Sequence, residues 1–137
     1  EINLIMSYGK FDLVHFNNGL HGWEYTEDEY DAAFPDMIKA IRKNAPNAKL
    51  IWATTTPIRT GKYCERLEER VARIVTRNEI AQKHISKAKD IKTNDLFNLI
   101  LDHPEYFIGG DGVHPIDKGY QVLAEQVAKK ILESLSE

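Results

Sequence analysis

An aspartate and a histidine lie three positions apart in a glycine-flanked loop near the C-terminal end of the chain. The loop reads Gly110-Asp111-Gly112-Val113-His114-Pro115, and a helical pattern follows it directly. A carboxylate at this distance can accept a hydrogen bond from the imidazole, which fixes the tautomer and the orientation of the ring. A histidine held in this way can act as a general base. By itself, the loop is equally compatible with a turn that contains an incidental histidine.

Polar residues also follow three short apolar runs, at the points where buried strands would end. The first run ends in Asn17-Asn18-Gly19-Leu20-His21-Gly22, the second in Thr54-Thr55-Thr56 and the third in Asn94-Asp95. In an open parallel sheet, sites form beyond the carboxyl ends of the strands. We therefore expect these groups to converge with Asp111 and His114. Each group taken singly is also typical of ordinary turns and caps, so it is their convergence that favours a site.

Apolar patterning predicts strands and helices in alternation. Short apolar runs bounded by turn residues predict strands over 11–16, 49–55 and 91–93. Helical patterns occupy the segment before Gly9, a short turn over 27–33, the segments 35–43, 67–85 and 95–101, and a last helix capped by Asp117. This order implies βαβ crossovers and a parallel sheet, in a single α/β domain that spans residues 1–137.

Two of the predicted helices carry a recognisable buried face. The stripe of the long helix is Leu67, Val71, Ile74, Asn78, Ala81 and Ile85, and that of the last helix is Tyr120, Leu123, Val127 and Ile131. Asn78 lies on such a stripe, so its amide is expected to be hydrogen-bonded inside the protein. Thr26 with Glu29 three residues later resembles a capping box, which predicts a helix start. His15 alternates into a predicted strand and is interpreted as an interior residue rather than a catalyst.

The composition argues against several classes of function. The chain has 137 residues, 42% of them hydrophobic, and a net charge of −3, which is typical of one globular domain. No basic cluster favours nucleic acid, and no apolar run approaches the roughly 20 residues of a membrane span. Cys64 is the only cysteine, so no internal disulfide is predicted. Neither a dinucleotide-binding glycine motif nor a phosphate-binding loop occurs, and no cofactor or signal-peptide pattern is predicted.

Three segments, in order, resemble the conserved blocks of the SGNH (GDSL-type) hydrolases. Residues 11–22 resemble the third block of that family, and residues 111–115, followed by Gly119 and Tyr120, resemble the fifth. Residues 50–57 are similar to its fourth-strand region. The resemblance implies a flavodoxin-like three-layer α/β/α sandwich with a parallel sheet. It also implies an esterase or acylhydrolase that acts on a small-molecule or carbohydrate ester, such as an O-acetyl group on a carbohydrate.

The same resemblance gives each candidate residue a role. Asp111 would orient the imidazole, and His114 would be the general base that activates a serine nucleophile. In the family, an asparagine of the third block contributes to the oxyanion hole, and His21 stands at that position here. The implied oxyanion donors are, in order of preference, His21, Asn18 and Asn17, with Gly19 and Thr55 as further substrate-binding residues.

The Gly-Asp-Ser nucleophile motif of the family does not occur in this sequence. The four serines, Ser7, Ser86, Ser134 and Ser136, lie in or beside predicted helices rather than after a strand. We therefore expect the chain to correspond to the C-terminal two-thirds of the domain, with the nucleophile upstream, and to be inactive alone. The predicted strand over 11–16 would then lack a neighbour, and it is expected to pair with an upstream segment or to self-associate.

Two other interpretations stay open. The missing nucleophile is also compatible with a non-catalytic binding or structural module of the same fold. A metal site formed by His21, Asp111 and His114 is disfavoured, because the spacing matches no closed zinc pattern.

Three aromatic residues could contact a substrate, namely Trp23, Tyr25 and Tyr63. Aromatic rings stack on sugars, but they are also typical of partly buried packing positions, and packing is the favoured interpretation.

Overall fold

Strands and helices alternate along the chain, as the sequence predicts. The computed structural model describes residues 2–61 and 67–137, so the predictions made on Tyr63 and Cys64 lie outside the described residues. The elements are α1 Ile2–Met6, β1 Leu13–Phe16, α2 Glu27–Asn44, β2 Lys49–Ala53, α3 Leu67–Lys87, β3 Ile91–Asn94, α4 Leu96–Leu101, a 3-10 turn Pro104–Phe107 and α5 Asp117–Leu135. Among the described helices, none is both long and apolar enough to cross a membrane.

The three strands form one parallel sheet in the order β1-β2-β3. Val14 of β1 lies opposite Leu50 of β2, which lies opposite Ile91 of β3. Helix α2 connects β1 to β2, and helix α3 connects β2 to β3. The predicted α/β fold with a parallel sheet is thus confirmed. Among the described residues β1 pairs only with β2, so the other edge of β1 is open.

Side chains of β2 alternate between the two faces of the sheet, and helices cover both faces. On one face, Leu50 and Trp52 pack in a cluster with buried residues of α1, α2 and α3. Ile51 and Ala53 point to the opposite face and are fully buried. Helix α5 lies on that second face, where it contacts β1 and β2. The result is a helix–sheet–helix sandwich of three layers.

Helix α2 is longer than the sequence predicts. A short turn over 27–33 and a separate helix from Pro35 were expected, but one helix runs without interruption over Glu27–Asn44 with Pro35 inside it. Proline removes one backbone hydrogen bond from a helix interior. The helix continues because both sides of the proline contribute to one buried stripe against the sheet, and tertiary packing supplies most of the stability of a protein helix. The buried members of that stripe are Tyr30, Phe34 and Ile41.

Helix α5 begins differently from the prediction. Ile116 rather than Asp117 occupies the N-cap position, and no side chain caps the helix. Asp117 is the first helical residue, where a carboxylate interacts favourably with the helix dipole. Tyr120 was expected to be buried but is half exposed (50%), and the buried positions of this helix are Gly119 and Ser134 instead. The other predicted members of the stripe are partly buried, namely Leu123, Val127 and Ile131.

Candidate active site

Asp111 and His114 are hydrogen-bonded to each other in the loop before α5. His114 Nδ1 lies 2.6 Å from Asp111 Oδ2. Asp111 Oδ1 accepts hydrogen bonds from the backbone N–H groups of Val113 and His114, at 2.8 and 2.7 Å. With Nδ1 engaged by the carboxylate, Nε2 is the ring nitrogen that can accept a proton. The His114 side chain is 65% exposed and that of Asp111 only 23%, so the base faces outward while its partner is held within the loop.

The Asp111 carboxyl group is stabilised as an anion. Its pKa is lowered from 3.8 to about 2, chiefly because the carboxylate accepts a hydrogen bond from the backbone N–H of His114 and a second one from the imidazole. Asp111 is therefore ionised at neutral pH. An ionised acceptor at Nδ1 holds the ring in one orientation and stabilises the imidazolium that forms when Nε2 takes up a proton.

The segment that follows β2 supports the Asp111 loop from the side. The backbone N–H of Arg59 donates to the carbonyl of Gly112 at 2.7 Å. Gly61 comes so close that a Cβ atom at this position would lie 2.3 Å from the carbonyl carbon and oxygen of Asp111. Since no real contact is that short, any side chain at position 61 would displace the loop.

A cavity of about 200 Å³ lies beside His114, and His21 also contributes to its wall. The remaining residues that line the cavity are mainly apolar, namely Leu20, Trp23, Ile58, Val113 and Arg70. Trp23 packs in addition against a cluster around the buried residues Ile58 and Ile74. The favoured packing role of Trp23 is therefore observed, and the same side chain also faces the cavity.

Asn17 connects the carboxyl ends of β1 and β2. Its Nδ2 donates to the carbonyl of Ala53 at 2.8 Å and to Thr55 Oγ1 at 3.1 Å. Thr55 is buried, and its backbone N–H and C=O are both bonded by the side-chain amide of Asn78, at 2.8 and 3.0 Å. The prediction that Asn78 is hydrogen-bonded inside the protein is confirmed. Asn17 and Thr55 thus hold two strand ends together and do not line the cavity of His114.

Asn18 is directed to another part of the surface. Its Nδ2 lies 3.7 Å from Met37 Sδ, and its backbone carbonyl accepts a hydrogen bond from the Tyr30 hydroxyl. The side chain lines a separate cavity beside these two residues. Of the three side chains predicted as oxyanion donors, the imidazole of His21 is the one that the structure places in the cavity of His114.

Gly19 lets the loop after β1 pass close to β2. A Cβ atom at Gly19 would lie 2.5 Å from Thr55 Oγ1, the same hydroxyl that accepts from Asn17. The contribution of Gly19 in this structure is therefore close packing of the backbone.

The serines of the chain stand apart from His114. The hydroxyl groups of Ser7, Ser86 and Ser136 donate to backbone carbonyls three or four residues earlier. Ser134 is buried in α5. None of these four residues lines the cavity beside His114, so the pair found here has no serine to activate within the described part of the chain.

His15 lies away from the candidate site and has the interior role that the sequence favours. Its Nε2 lies 3.2 Å from Asn94 Nδ2, and Asn94 Oδ1 accepts from Gln126 Nε2 at 3.1 Å. Burial lowers the pKa of His15, which favours the neutral ring that can accept a hydrogen bond from an amide. This network connects β1 and β3 to α5.

The described residues contain no group of three or more histidine, cysteine, aspartate or glutamate side chains that could hold a metal ion.

The sequence interpretation missed two arginines that hold the loop 19–25. Arg73 and Arg77 of α3 donate to several backbone carbonyls of this loop. Both guanidinium groups also lie over the Trp23 ring, at 5.4 and 5.5 Å from its centroid. A signal for them exists in the sequence, because Arg70, Arg73 and Arg77 recur at spacings of three and four and therefore share one face of the helix.

The resemblance to GDSL-type hydrolases implies an α/β fold with a parallel sheet and an Asp–His pair in the loop before the last helix. The structure has this arrangement. The sequence model of the family described as GDSL-like lipase/acylhydrolase matches residues 4–127. The chain therefore belongs to the GDSL-like lipase/acylhydrolase family.

Solved structures with the same fold include members of this family. A GDSL-like lipase from Bacteroides thetaiotaomicron aligns with a TM-score of 0.69 and 21% identity, over 90% of this chain and 63% of its own. The lipase/acylhydrolase from Enterococcus faecalis aligns with a TM-score of 0.67 and 22% identity, over 88% and 60% of the two chains. A peptidoglycan O-acetylesterase aligns with a TM-score of 0.67 and 18% identity, over 98% and 41%. At these identities the similarity establishes the fold.

The present chain thus spans 63% of the length of the Bacteroides lipase. No curated protein sequence is significantly similar to it.

Proposed function

We propose that the protein to which this chain belongs is a serine esterase that works through an acyl-enzyme, with His114 as general base and Asp111 as the residue that orients it. The observation that carries the proposal is the 2.6 Å hydrogen bond between His114 Nδ1 and Asp111 Oδ2, in a chain of the lipase/acylhydrolase family. This bond leaves Nε2 as the proton acceptor on the exposed side of the loop.

The chemistry follows from that assignment. Nε2 of His114 takes the hydroxyl proton of the nucleophilic serine while the serine oxygen attacks the ester carbonyl carbon. The imidazolium, stabilised by Asp111, then gives its proton to the leaving alcohol. In the second half, His114 takes a proton from a water molecule that attacks the carbonyl carbon of the acyl-enzyme. The imidazolium then returns this proton to the serine oxygen as the bond to the acyl group breaks, and the carboxylic acid leaves. His21 faces the same cavity, and its imidazole N–H is the proposed donor to the oxyanion of both tetrahedral intermediates.

The serine itself is proposed to come from a segment N-terminal to this sequence, on a strand that pairs with the open edge of β1. Two observations support this placement. Among the described residues β1 has a partner on one side only, and the solved relatives that share the fold are longer than this chain. Among the described residues, no serine lines the cavity of the Asp111–His114 pair, so the chain without that segment is expected to be inactive.

The acyl group of the substrate is proposed to be short. The cavity beside His114 has about 200 Å³ and is lined mainly by apolar side chains, which suits a small apolar group such as acetyl. A relative with the same fold is a peptidoglycan O-acetylesterase. An O-acetyl group on a carbohydrate is therefore the proposed substrate class.

The test is hydrolysis of p-nitrophenyl acetate by the protein that includes the upstream segment, compared with its His114→Ala variant. Loss of the general base should lower kcat/KM by roughly 1,000-fold or more. His103→Ala is the matched control, because His103 is also partly exposed but pairs with Glu105 away from the cavity. Unchanged turnover in His114→Ala would remove His114 from the mechanism. A wild-type protein without esterase activity would favour a non-catalytic module.

A further inference from the structure

We infer that Arg77 is the positioning residue that fixes the loop 19–25 and, with it, places His21 beside His114. The catalytic part of this inference rests on the proposed function, because His21 matters to the rate only if it serves as the oxyanion donor. The anchoring part concerns the loop itself and can be measured without turnover.

The guanidinium group of Arg77 is buried, with 1% of its side chain exposed, and it binds one loop at four points. Nη1 donates to the carbonyl of His21 at 3.0 Å and to that of Gly19 at 3.4 Å. Nη2 donates to the carbonyls of Gly22 and Tyr25, both at 2.9 Å. Four carbonyl groups from seven consecutive residues therefore converge on a single side chain.

The fifth donor of Arg77 binds a carboxylate, which compensates the buried positive charge. Nε lies 3.2 Å from Glu27 Oε1. Although burial opposes it, the hydrogen bond and charge of Arg73, together with the charge of Arg77, lower the pKa of Glu27 and keep it ionised. A guanidinium group has five N–H donors in a rigid fork, and here each has an acceptor. Lysine has three donors on one atom and cannot reproduce this arrangement.

The four contacts determine the orientation of peptide groups in the loop. In a planar trans peptide, the carbonyl of one residue and the N–H of the next point in opposite directions. Because the carbonyls of Gly19 and His21 point to Arg77, the N–H groups of Leu20 and Gly22 point away from it. The peptide group that follows His21 and the one that precedes Leu20 are thereby fixed, which restricts the direction in which the His21 side chain leaves the backbone.

Arg73 provides an internal comparison. It donates to the carbonyl of Trp23 at 2.8 Å and to that of Tyr25, and it pairs with Glu27. These contacts lie at the far end of the loop and include neither Gly19 nor His21. Arg73 and Arg77 thus share a helix, a carboxylate partner and a target loop, but only Arg77 holds the carbonyl of His21.

The experiment compares Arg77→Lys, Arg77→Gln and Arg73→Lys in the protein that includes the upstream segment. Kinetics with p-nitrophenyl acetate should show kcat lowered roughly 100-fold in both Arg77 variants, because the loss of one oxyanion donor has an effect of this size. KM should change much less than kcat. Arg73→Lys should lower kcat much less than either Arg77 variant, because Arg73 binds neither Gly19 nor His21. Ile85→Ala removes buried atoms of α3 far from the loop. It is the control for any loss of kcat that results only from a lowered melting temperature.

A double-mutant cycle tests whether Arg77 acts through His21. In a His21→Ala background, Arg77→Lys should have little further effect on kcat, since the group that it positions is gone. Full additivity of the two losses would overturn the inference. The inference would also be overturned if Arg77→Lys and Ile85→Ala lowered the melting temperature equally and Arg77→Lys lowered kcat no more than Ile85→Ala does.

Amide hydrogen exchange separates failure of this inference from failure of the proposed function. Peptides covering the loop 19–25 should exchange faster in Arg77→Lys than in Arg73→Lys or wild type. If the wild-type protein shows no turnover, the proposed function fails, and faster exchange would still support the anchoring role. Unchanged exchange in the Arg77 variants would overturn it.

Discussion

His114 can serve as a base in one defined orientation because Asp111 binds the opposite side of its ring and is itself held by two backbone N–H groups. The sequence predicts this pair, since an aspartate and a histidine three positions apart in a glycine-rich loop favour such a contact. It does not predict that Arg59 and Gly61 support the loop, because the two segments are about fifty residues apart in sequence and meet only in the fold.

The titration of Asp111 gives a testable pH dependence of stability. Its pKa in the folded protein is about 2, below the ordinary 3.8, so ionised Asp111 stabilises the fold above about pH 4, and this contribution is lost as the pH falls toward 2. The difference in unfolding free energy between wild type and Asp111→Asn should therefore be present at pH 5 to 7 and shrink between pH 4 and 2. Urea unfolding across this range measures it, and a difference that is independent of pH would contradict the assignment.

Gly61→Ala should displace the Asp111 loop, because the added methyl group would overlap the backbone of Asp111. We expect a loss of about 1–3 kcal/mol in unfolding free energy, the usual range for overpacking, and a change in the chemical shift of the His114 ring. Gly9→Ala is the matched control, since nothing lies within 4 Å of a Cβ atom at Gly9. Equal effects of the two substitutions would show that the close approach at Gly61 is unimportant.

At the scale of elements, the ends of β1 and β2 are held by side-chain amides. Asn17 bonds both Ala53 and Thr55, and Asn78 of α3 satisfies the backbone of Thr55. The apolar stripe of α3 predicts that Asn78 points inward, but it does not identify the partner. The polar strand ends that the sequence assigns to a site are in part structural, because a buried strand end must bond its own backbone groups.

Asn78→Leu should be strongly destabilising, since it leaves the N–H and C=O of buried Thr55 without partners. The expected loss is about 2–4 kcal/mol in unfolding free energy. Thr76→Ala, on the exposed face of the same helix, should change stability by less than about 0.5 kcal/mol. Chemical denaturation of the three proteins measures both values, and a neutral Asn78→Leu would contradict the role of this amide.

Helix α2 shows why local signals fail at element boundaries. The capping box of Thr26 and Glu29 correctly marks its start. Pro35 suggests a second start, since proline favours a first helical turn. Phe34 before the proline and Ile41 after it are buried in the same cluster as the strand residues Leu50 and Trp52, and this shared burial decides the outcome. That contribution depends on the sheet, which no local pattern contains.

At the scale of the whole molecule, the alternation of strands and helices is enough to predict the parallel α/β fold, because parallel neighbours require crossovers. The site is only partly predictable. Asp111, His114 and His21 are predicted by spacing and resemblance. Arg77 is found only in the structure, where it binds the backbone carbonyls of residues 52 to 58 positions earlier in the sequence. Every residue has a backbone carbonyl, so the sequence does not indicate which residues such an arginine will bind.

The open edge of β1 predicts association of this chain when it is produced alone. Sedimentation velocity at about 100 µM should show species larger than a monomer, since an unpaired strand edge recruits other strands. Leu13→Lys, on the open strand, should reduce association, and Ala72→Lys, on the exposed surface of α3, should not. A monodisperse wild-type monomer at that concentration would contradict this use of the edge.

The most direct test of the central claim is covalent labelling by a fluorophosphonate, which reacts with a serine hydroxyl only when a neighbouring base activates it. Intact-mass analysis of the protein with its upstream segment should show one adduct, on a serine outside this sequence. Labelling should be at least about 100-fold slower in His114→Ala and nearly unchanged in His103→Ala. Equal labelling rates in wild type and His114→Ala, or an adduct on Ser7, Ser86, Ser134 or Ser136, would contradict the account.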